Sequence, residues 1–141
     1  TILPERQIRR QNPGLQKYPD GLAFKVQDGA TYSYWLEVES ARKTGKSMTL
    51  MAANLVDVAS GASPTLSYLT PNRGLVALCK GAEDERGYQL NHATRVKNAV
   101  YRQLGEHEIE LDFLYLNKKG VGVSDFDHEI VTFSPDDNFS V

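Results

Sequence analysis

Four side chains in the first third of the chain, Asp20, Glu37, Glu39 and Lys43, are of the types that divalent-metal phosphate chemistry uses. Phosphodiester hydrolysis needs an ion that polarises the phosphate and activates a water, and hard Mg²⁺ is held by a few carboxylates while keeping waters for the substrate. Two or three acids must therefore converge. Glu37 and Glu39 converge through strand periodicity, because the stretch Ala30 to Ser40 alternates with period two. Tyr32, Tyr34, Leu36 and Val38 fall on one face, and Ser33, Trp35, Glu37 and Glu39 on the other. Asp20 stands at the mouth of a hairpin that ends in this strand, so ordinary pairing can bring it beside them. Arg42, Lys43 and Lys46 follow at the same sheet end, where cations can hold a phosphate or steady an attacking hydroxide. Each feature also has a plainer explanation. Alternating strands often carry acids on a solvated face, and Pro-Asp-Gly is a common turn.

The elements that must position these groups are legible in outline. Leu22 to Gln27 runs into Asp28-Gly29, a two-residue hairpin signal. After Lys46 the period becomes helical, with Met48, Met51, Leu55 and Val58 on one stripe, Thr44 or Ser47 as the cap, and Gly61 and Pro64 as the stop. Two apolar strands are expected at Thr65 to Leu69 and Leu75 to Cys79, then a polar loop from Gly81 to Gly87. Asn91 is the expected cap of a second helix that carries Ala93, Val96, Val100 and Leu104 inward, shows a basic outer face through Arg95, Lys97 and Arg102, and stops at Gly105. Strands over Ile109 to Leu116 and Val121 to Phe133 follow. The expectation is a single α/β (α+β) domain over residues 1–134, a mixed central sheet with helices on its faces, and a polar tail over 135–141.

A rival phosphate motif overlaps the site. Ser40-Ala-Arg-Lys-Thr-Gly45-Lys46-Ser47, between a strand and a helix, approaches the phosphate-cradling loop GxxxxGK(S/T). Ser40 stands where that loop needs its first Gly for a tight turn, and no clean strand downstream ends in a Mg²⁺-binding Asp unless Leu78 or Leu111-Asp112 is pressed into that role.

Composition narrows the classes. The chain has 141 residues, 40% of them hydrophobic, enough for one core without disulfide or metal staples. No stretch approaches the roughly 18 unbroken apolar residues of a membrane span, and TILPERQIRR lacks the apolar run of a signal peptide, so a cytoplasmic protein with no membrane partner is expected. The net charge of −2 is uneven: residues 1 to 46 hold eight Lys/Arg against five Asp/Glu, and the remainder eight against 13. A polyanion would approach the N-terminal third, where Arg9, Arg10, Arg42 and Lys46 are the candidate contacts. Cys79 sits in an apolar run and reads as a core residue; His92, His107 and His128 have no second ligand at helix or strand spacing, which argues against zinc. Asp125-Phe-Asp127-His128 and Glu83-Asp-Glu85 read as solvated acids. Trp35 and Tyr18 are either core aromatics beneath the site or platforms for a base.

Pro19-Asp20-Gly21, a short intervening strand and Trp35-Leu-Glu37-Val-Glu39-Ser-Ala-Arg-Lys43 together resemble the core of the PD-(D/E)XK nuclease superfamily. The resemblance covers residues 5 to 60 best, and the rest by element order alone. It implies a restriction-endonuclease-like core of a helix, a hairpin, a helix and a further strand, with Mg²⁺ or Mn²⁺ bound by the motif acids during cleavage of DNA or RNA. Position by position, Asp20 matches the motif Asp and Glu37 the motif acid, while Glu39 stands where the motif has Lys. Some members carry Glu there, and others move the Lys into the following helix, a role open to Lys43 or Lys46. The wording is also similar to domains on plasmids, phages and other mobile elements that follow an N-terminal winged helix. The start at Thr1 then suggests a piece whose DNA-binding partner domain has been cut away, and a homodimer is a reasonable expectation for a duplex-cutting enzyme. The expectation is a metal-dependent DNA endonuclease with Asp20, Glu37, Glu39 and Lys43 at its centre. The alternatives are a non-catalytic nucleic-acid or partner-binding module of a mobile-element protein and a nucleotide-binding loop.

Overall fold

The computed structural model describes residues 2–15, 17–39, 45–62, 71–79, 88–116 and 128–137, and within these the side chains of 79, 88–92 and 116 are not described. The chain runs β1 (Ile2–Pro4), α1 (Glu5–Gln11), β2 (Gly21–Gln27), β3 (Ala30–Glu39), α2 (Gly45–Ala59), β4 (Arg73–Cys79), α3 (Tyr88–Gln103), β5 (Ile109–Leu116) and β6 (His128–Phe133), with a 3₁₀ turn at Pro135–Asp137 opening the polar tail. The expected strand over Thr65 to Leu69, the loop over Gly81 to Gly87 and the first part of the Val121 to Phe133 strand lie outside the described residues. No described helix is long and apolar enough to cross a membrane.

Asp28 and Gly29, with φ of 52° and 78°, both sit in the left-handed region that a two-residue hairpin turn with the twist of its strands requires. They set β2 antiparallel to β3 with Gln27 opposite Ala30 and Gly21 opposite Leu36. The six strands lie in sequence order, mixed in sense: β1, β2 and β3 are antiparallel in turn, β3, β4 and β5 are parallel, and β6 returns antiparallel. Parallel neighbours need a crossover, which α2 and α3 supply. The protein is thus a mixed α/β fold on a six-stranded sheet.

The helices do not divide between the two faces of the sheet as the sequence suggested. Strand order advances β3, β4, β5 in one direction, and right-handed crossovers that advance one way put both helices on one side. There Met48, Met51, Leu55 and Val58 of α2 and Ala93, Val96 and Val100 of α3 pack on Trp35, Val76, Leu78, Leu111 and Phe113. Ile8 of α1 packs with Tyr18 and Leu22 in a smaller cluster, and Leu22, opposite Trp35, belongs to the same face. β1 was not anticipated from the sequence, and α1 only through the resemblance, whose implied core opens on a helix. Both are too short, at 3 and 7 residues, to carry a periodic signal.

Two helix starts differ from expectation. Asn91 lies inside α3, which begins at Tyr88, because Tyr88, Gln89 and Leu90 offer nothing that stops a helix. Ser47 lies inside α2 rather than capping it, and Thr44 lies outside the described residues. Gly105, with φ of 60°, ends α3 as its left-handed stop.

Candidate functional site

Asp20 lies in a bend one residue before β2, whose first residue, Gly21, pairs with Leu36 of β3. The Asp20 N–H donates to the Leu36 carbonyl at 2.9 Å, and the Val38 N–H donates to Asp20 Oδ2 at 2.7 Å. The side chain thereby stands in for a backbone carbonyl and clamps the residues on either side of Glu37. One of its oxygens is spent on this clamp. The other is not.

Glu37 and Glu39 share a face as strand alternation requires, but that face is not solvated. It is the face covered by helices, and the two residues are 0% and 1% exposed. The view of these acids as surface decoration is therefore overturned. Burying a carboxylate costs several kcal/mol unless it is paired and hydrogen-bonded, and Glu37 is both. The Trp35 indole Nε1–H donates to Glu37 Oε2 at 2.7 Å, and the Lys17 ammonium donates to Glu37 Oε1 at 3.2 Å. Even so, burial is the dominant influence and holds the Glu37 carboxyl above its ordinary 4.5; Lys17 and the Trp35 hydrogen bond pull it down, and the neighbouring Asp20 pushes it up.

Lys17 is the side chain at this site that sequence reasoning missed. Its ammonium also donates to the Tyr18 carbonyl at 3.2 Å, and the side chain is 24% exposed, on the open side of a carboxylate that is wholly buried. The available signal was a base three residues before Asp20, on the lead-in to the same hairpin. Lys43 and Arg42, the expected cations, lie outside the described residues, as does most of the phosphate-loop segment at 40–44. Lys46 is exposed in the first turn of α2, whose first residue, Gly45, has φ of 55°. Arg9 and Arg10 are exposed on α1, Arg9 bridging Glu5 at 2.8 Å and covering the Tyr18 ring at 4.4 Å.

Both aromatics resolve as framework. Trp35 is 1% exposed and lies in the main core, which leaves no face for a base. Tyr18 is buried; its hydroxyl donates to the Asn12 carbonyl at 2.6 Å and accepts from the Leu15 N–H at 3.1 Å, pinning the segment that carries Lys17 and Asp20.

Beside the start of α2 a cavity of about 230 Å³ is lined by Gly45, Met48, Thr49, Arg95, Asn98 and Arg102, among others. It lies between α2 and α3, and its two arginines give it a cationic wall. On the opposite face, which no helix covers among the described residues, a separate cavity of about 360 Å³ is lined by Lys25, Tyr34, Leu75, Asp112, Leu114 and His128, among others. Asp112 is 3% exposed there and is held by Arg73 at 2.8 Å, with His128 Nε2 at 3.7 Å. Tyr34 points away from Glu37 across the strand, so this cavity is not the carboxylate site.

A divalent ion would find Asp20 and Glu37 as its first donors, hard oxygens that suit Mg²⁺ or Mn²⁺, with Asp20 held on the Val38 N–H beside Glu37. The chemistry of this donor set fits such an ion: a buried carboxyl raised by burial and by a second carboxyl gains most from one more positive charge. Among the described residues, no three His, Cys, Asp or Glu gather into a metal-binding group. Comparison with protein-family models finds no match, and comparisons with curated proteins and with solved structures find no significant one.

Proposed function

We propose that this chain is a Mg²⁺- or Mn²⁺-dependent endonuclease domain of the PD-(D/E)XK type that hydrolyses DNA phosphodiester bonds. The observation that carries the reading is the set at the mouth of the hairpin: Asp20 Oδ2 accepts from the Val38 N–H, the residue next to Glu37, at 2.7 Å, and the Lys17 ammonium lies on Glu37 at 3.2 Å. A helix, a hairpin, a helix and a strand parallel to the second arm follow one another in the order that the resemblance implies for a restriction-endonuclease-like core.

Asp20 and Glu37 would hold the ion, with Glu39 two positions along the same face as a further donor. Bound there, it would polarise the phosphate and lower the pKa of a water toward neutrality. The chain's own residues orient the site: the Val38 N–H fixes Asp20, the Trp35 indole fixes Glu37, and the surrounding core keeps water off the inner side of both acids. Arg95 and Arg102 beside α2, with exposed Lys46, offer a cationic track for the backbone of the nucleic acid.

Nicking of supercoiled plasmid in Mg²⁺ or Mn²⁺ tests the reading directly. Asp20→Asn and Glu37→Gln are expected to lose roughly 100-fold or more of the rate while keeping the wild-type circular dichroism. Undiminished nicking by folded Asp20→Asn would overturn the assignment.

One observation favours a second reading. Both oxygens of Glu37 are already hydrogen-bonded, as they are in a carboxylate kept for structure. The domain would then be a non-catalytic nucleic-acid or partner-binding module of a mobile-element protein, with salt-sensitive DNA binding and no cleavage in any metal.

A further inference from the structure

We propose that Lys17 is the lysine through which this site contacts the scissile region of DNA, its ammonium bonding a phosphate oxygen beside the Asp20–Glu37 pair; the inference rests on the nuclease reading above. A lysine at the motif's own place is lacking, because Glu39 stands there. Lys17 reaches the motif acid from the lead-in to the other arm of the hairpin.

Three features set this ammonium apart from a surface cation. First, it is fixed. It donates to Glu37 Oε1 and to the Tyr18 carbonyl, both at 3.2 Å, so its position is set by one side-chain and one main-chain acceptor. Second, the segment bearing it is tied down on both sides. The buried Tyr18 hydroxyl bonds Asn12 and Leu15, and Asp20 is locked onto Leu36 and Val38. Third, it lies at a boundary: the Lys17 side chain is 24% exposed while the Glu37 side chain is 0% exposed. An ammonium carries three N–H donors, and among the described residues two are used. The remaining donor and the partial exposure leave a positive charge open to an anion that reaches the two acids from solvent. A lysine serving only to neutralise Glu37 would gain nothing from that opening. A pair of surface charges, in turn, would not include a fully buried partner.

The test compares the full chain with Lys17→Met and Lys17→Arg. Binding of a short DNA duplex in Ca²⁺ is measured by anisotropy over a range of salt concentrations, and nicking is measured in Mg²⁺. Removing one phosphate contact lowers the slope of log affinity against log salt by about 0.9, which is about tenfold in Kd at 0.1 M salt. Lys17→Met is expected to show both changes, and Lys17→Arg to recover most of the affinity. Mg²⁺ binding, followed by the emission of Trp35, the one tryptophan in the chain and a direct donor to Glu37, is expected to persist in both variants.

Unchanged DNA affinity and salt slope in Lys17→Met would overturn the proposal, and so would loss of Mg²⁺ binding that Lys17→Arg fails to restore, since Lys17 would then be a structural counter-ion. The two levels separate cleanly. If the wild-type chain neither binds nor cleaves DNA, the nuclease reading falls and takes Lys17 with it. If the wild type cleaves and Lys17→Met cleaves equally fast, only the role of Lys17 falls.

Discussion

Burying Glu37 costs free energy that the Trp35 indole and the Lys17 ammonium return only in part, and the direction of its pKa says so. Its carboxyl titrates above the ordinary 4.5, burial being the largest cause. The native state therefore binds that proton more readily than the unfolded chain. The group's contribution to stability is fullest below pH 4.5 and is lost as pH rises through the native value. Glu37→Gln removes the charge but keeps the shape and one acceptor for Trp35. It is expected to melt higher than the wild type at pH 7, with the gap closing as pH falls toward 4.5. A lower melting temperature at pH 7 would mean that the Lys17 ion pair outweighs desolvation. On the proposed metal-binding reading, an arriving cation would offset the cost of burying this charge.

At the scale of elements, α2 packs closely on the sheet at Gly74 of β4. A Cβ added there would lie 2.7 Å from Leu111 Cδ2 and 3.1 Å from Leu55 Cδ2, so the helix rests on the sheet through the space a side chain would fill. Gly74→Ala is expected to cost about 1–3 kcal/mol in chemical denaturation, by forcing both leucines off their rotamers. The same crossing governs the site. Glu37 neighbours Val76 across β3 and β4, and Trp35 neighbours Gly74, so a shift of β4 under α2 would reach the carboxylate through one strand pair. The hairpin opposite depends on a different device. Asp28 and Gly29 set a register in which a slip of one residue would turn Glu37 outward and part it from Asp20.

At the scale of the whole molecule, two hydrophobic clusters of unequal size share one sheet. The larger joins α2, α3 and the strands from β3 to β6; the smaller is Ile8, Tyr18 and Leu22, with Leu3 and Leu15 against it. Fewer buried contacts mean a lower free energy of local opening. Amide hydrogen exchange is expected to show α1 and β1 opening at lower free energy than β4 and β5, and Ile8→Ala to widen the gap while leaving β4 protection nearly intact. Equal protection across both would show the two clusters to be one cooperative unit. Lys17 belongs to the smaller cluster's segment and Glu37 to the larger cluster's strand, so the ion pair between them spans the junction.

Local chemistry determined much of this arrangement. Asp28-Gly29 dictated the hairpin, period-two alternation placed Trp35, Glu37 and Glu39 on one face, and the stripes Met48-Met51-Leu55-Val58 and Ala93-Val96-Val100-Leu104 found the inward faces of both long helices. Each of these signals repeats within a few residues, where backbone geometry alone controls direction. What lay beyond them needed the assembled sheet. Which face of β3 would be buried depends on the side from which α2 and α3 cross, and that follows from strand order, which alternation does not encode. Lys17 meets Glu37 across 20 residues because its side chain reaches over the lead-in to the hairpin, and no period links the two. Asp112 and Arg73 meet across 39 residues for the same reason, on a face whose strands become neighbours only when β4 and β5 pair. The sequence determined which residues could do chemistry. Tertiary packing determined their burial and their partners, because desolvation and charge pairing depend on distances that only the closed sheet brings about.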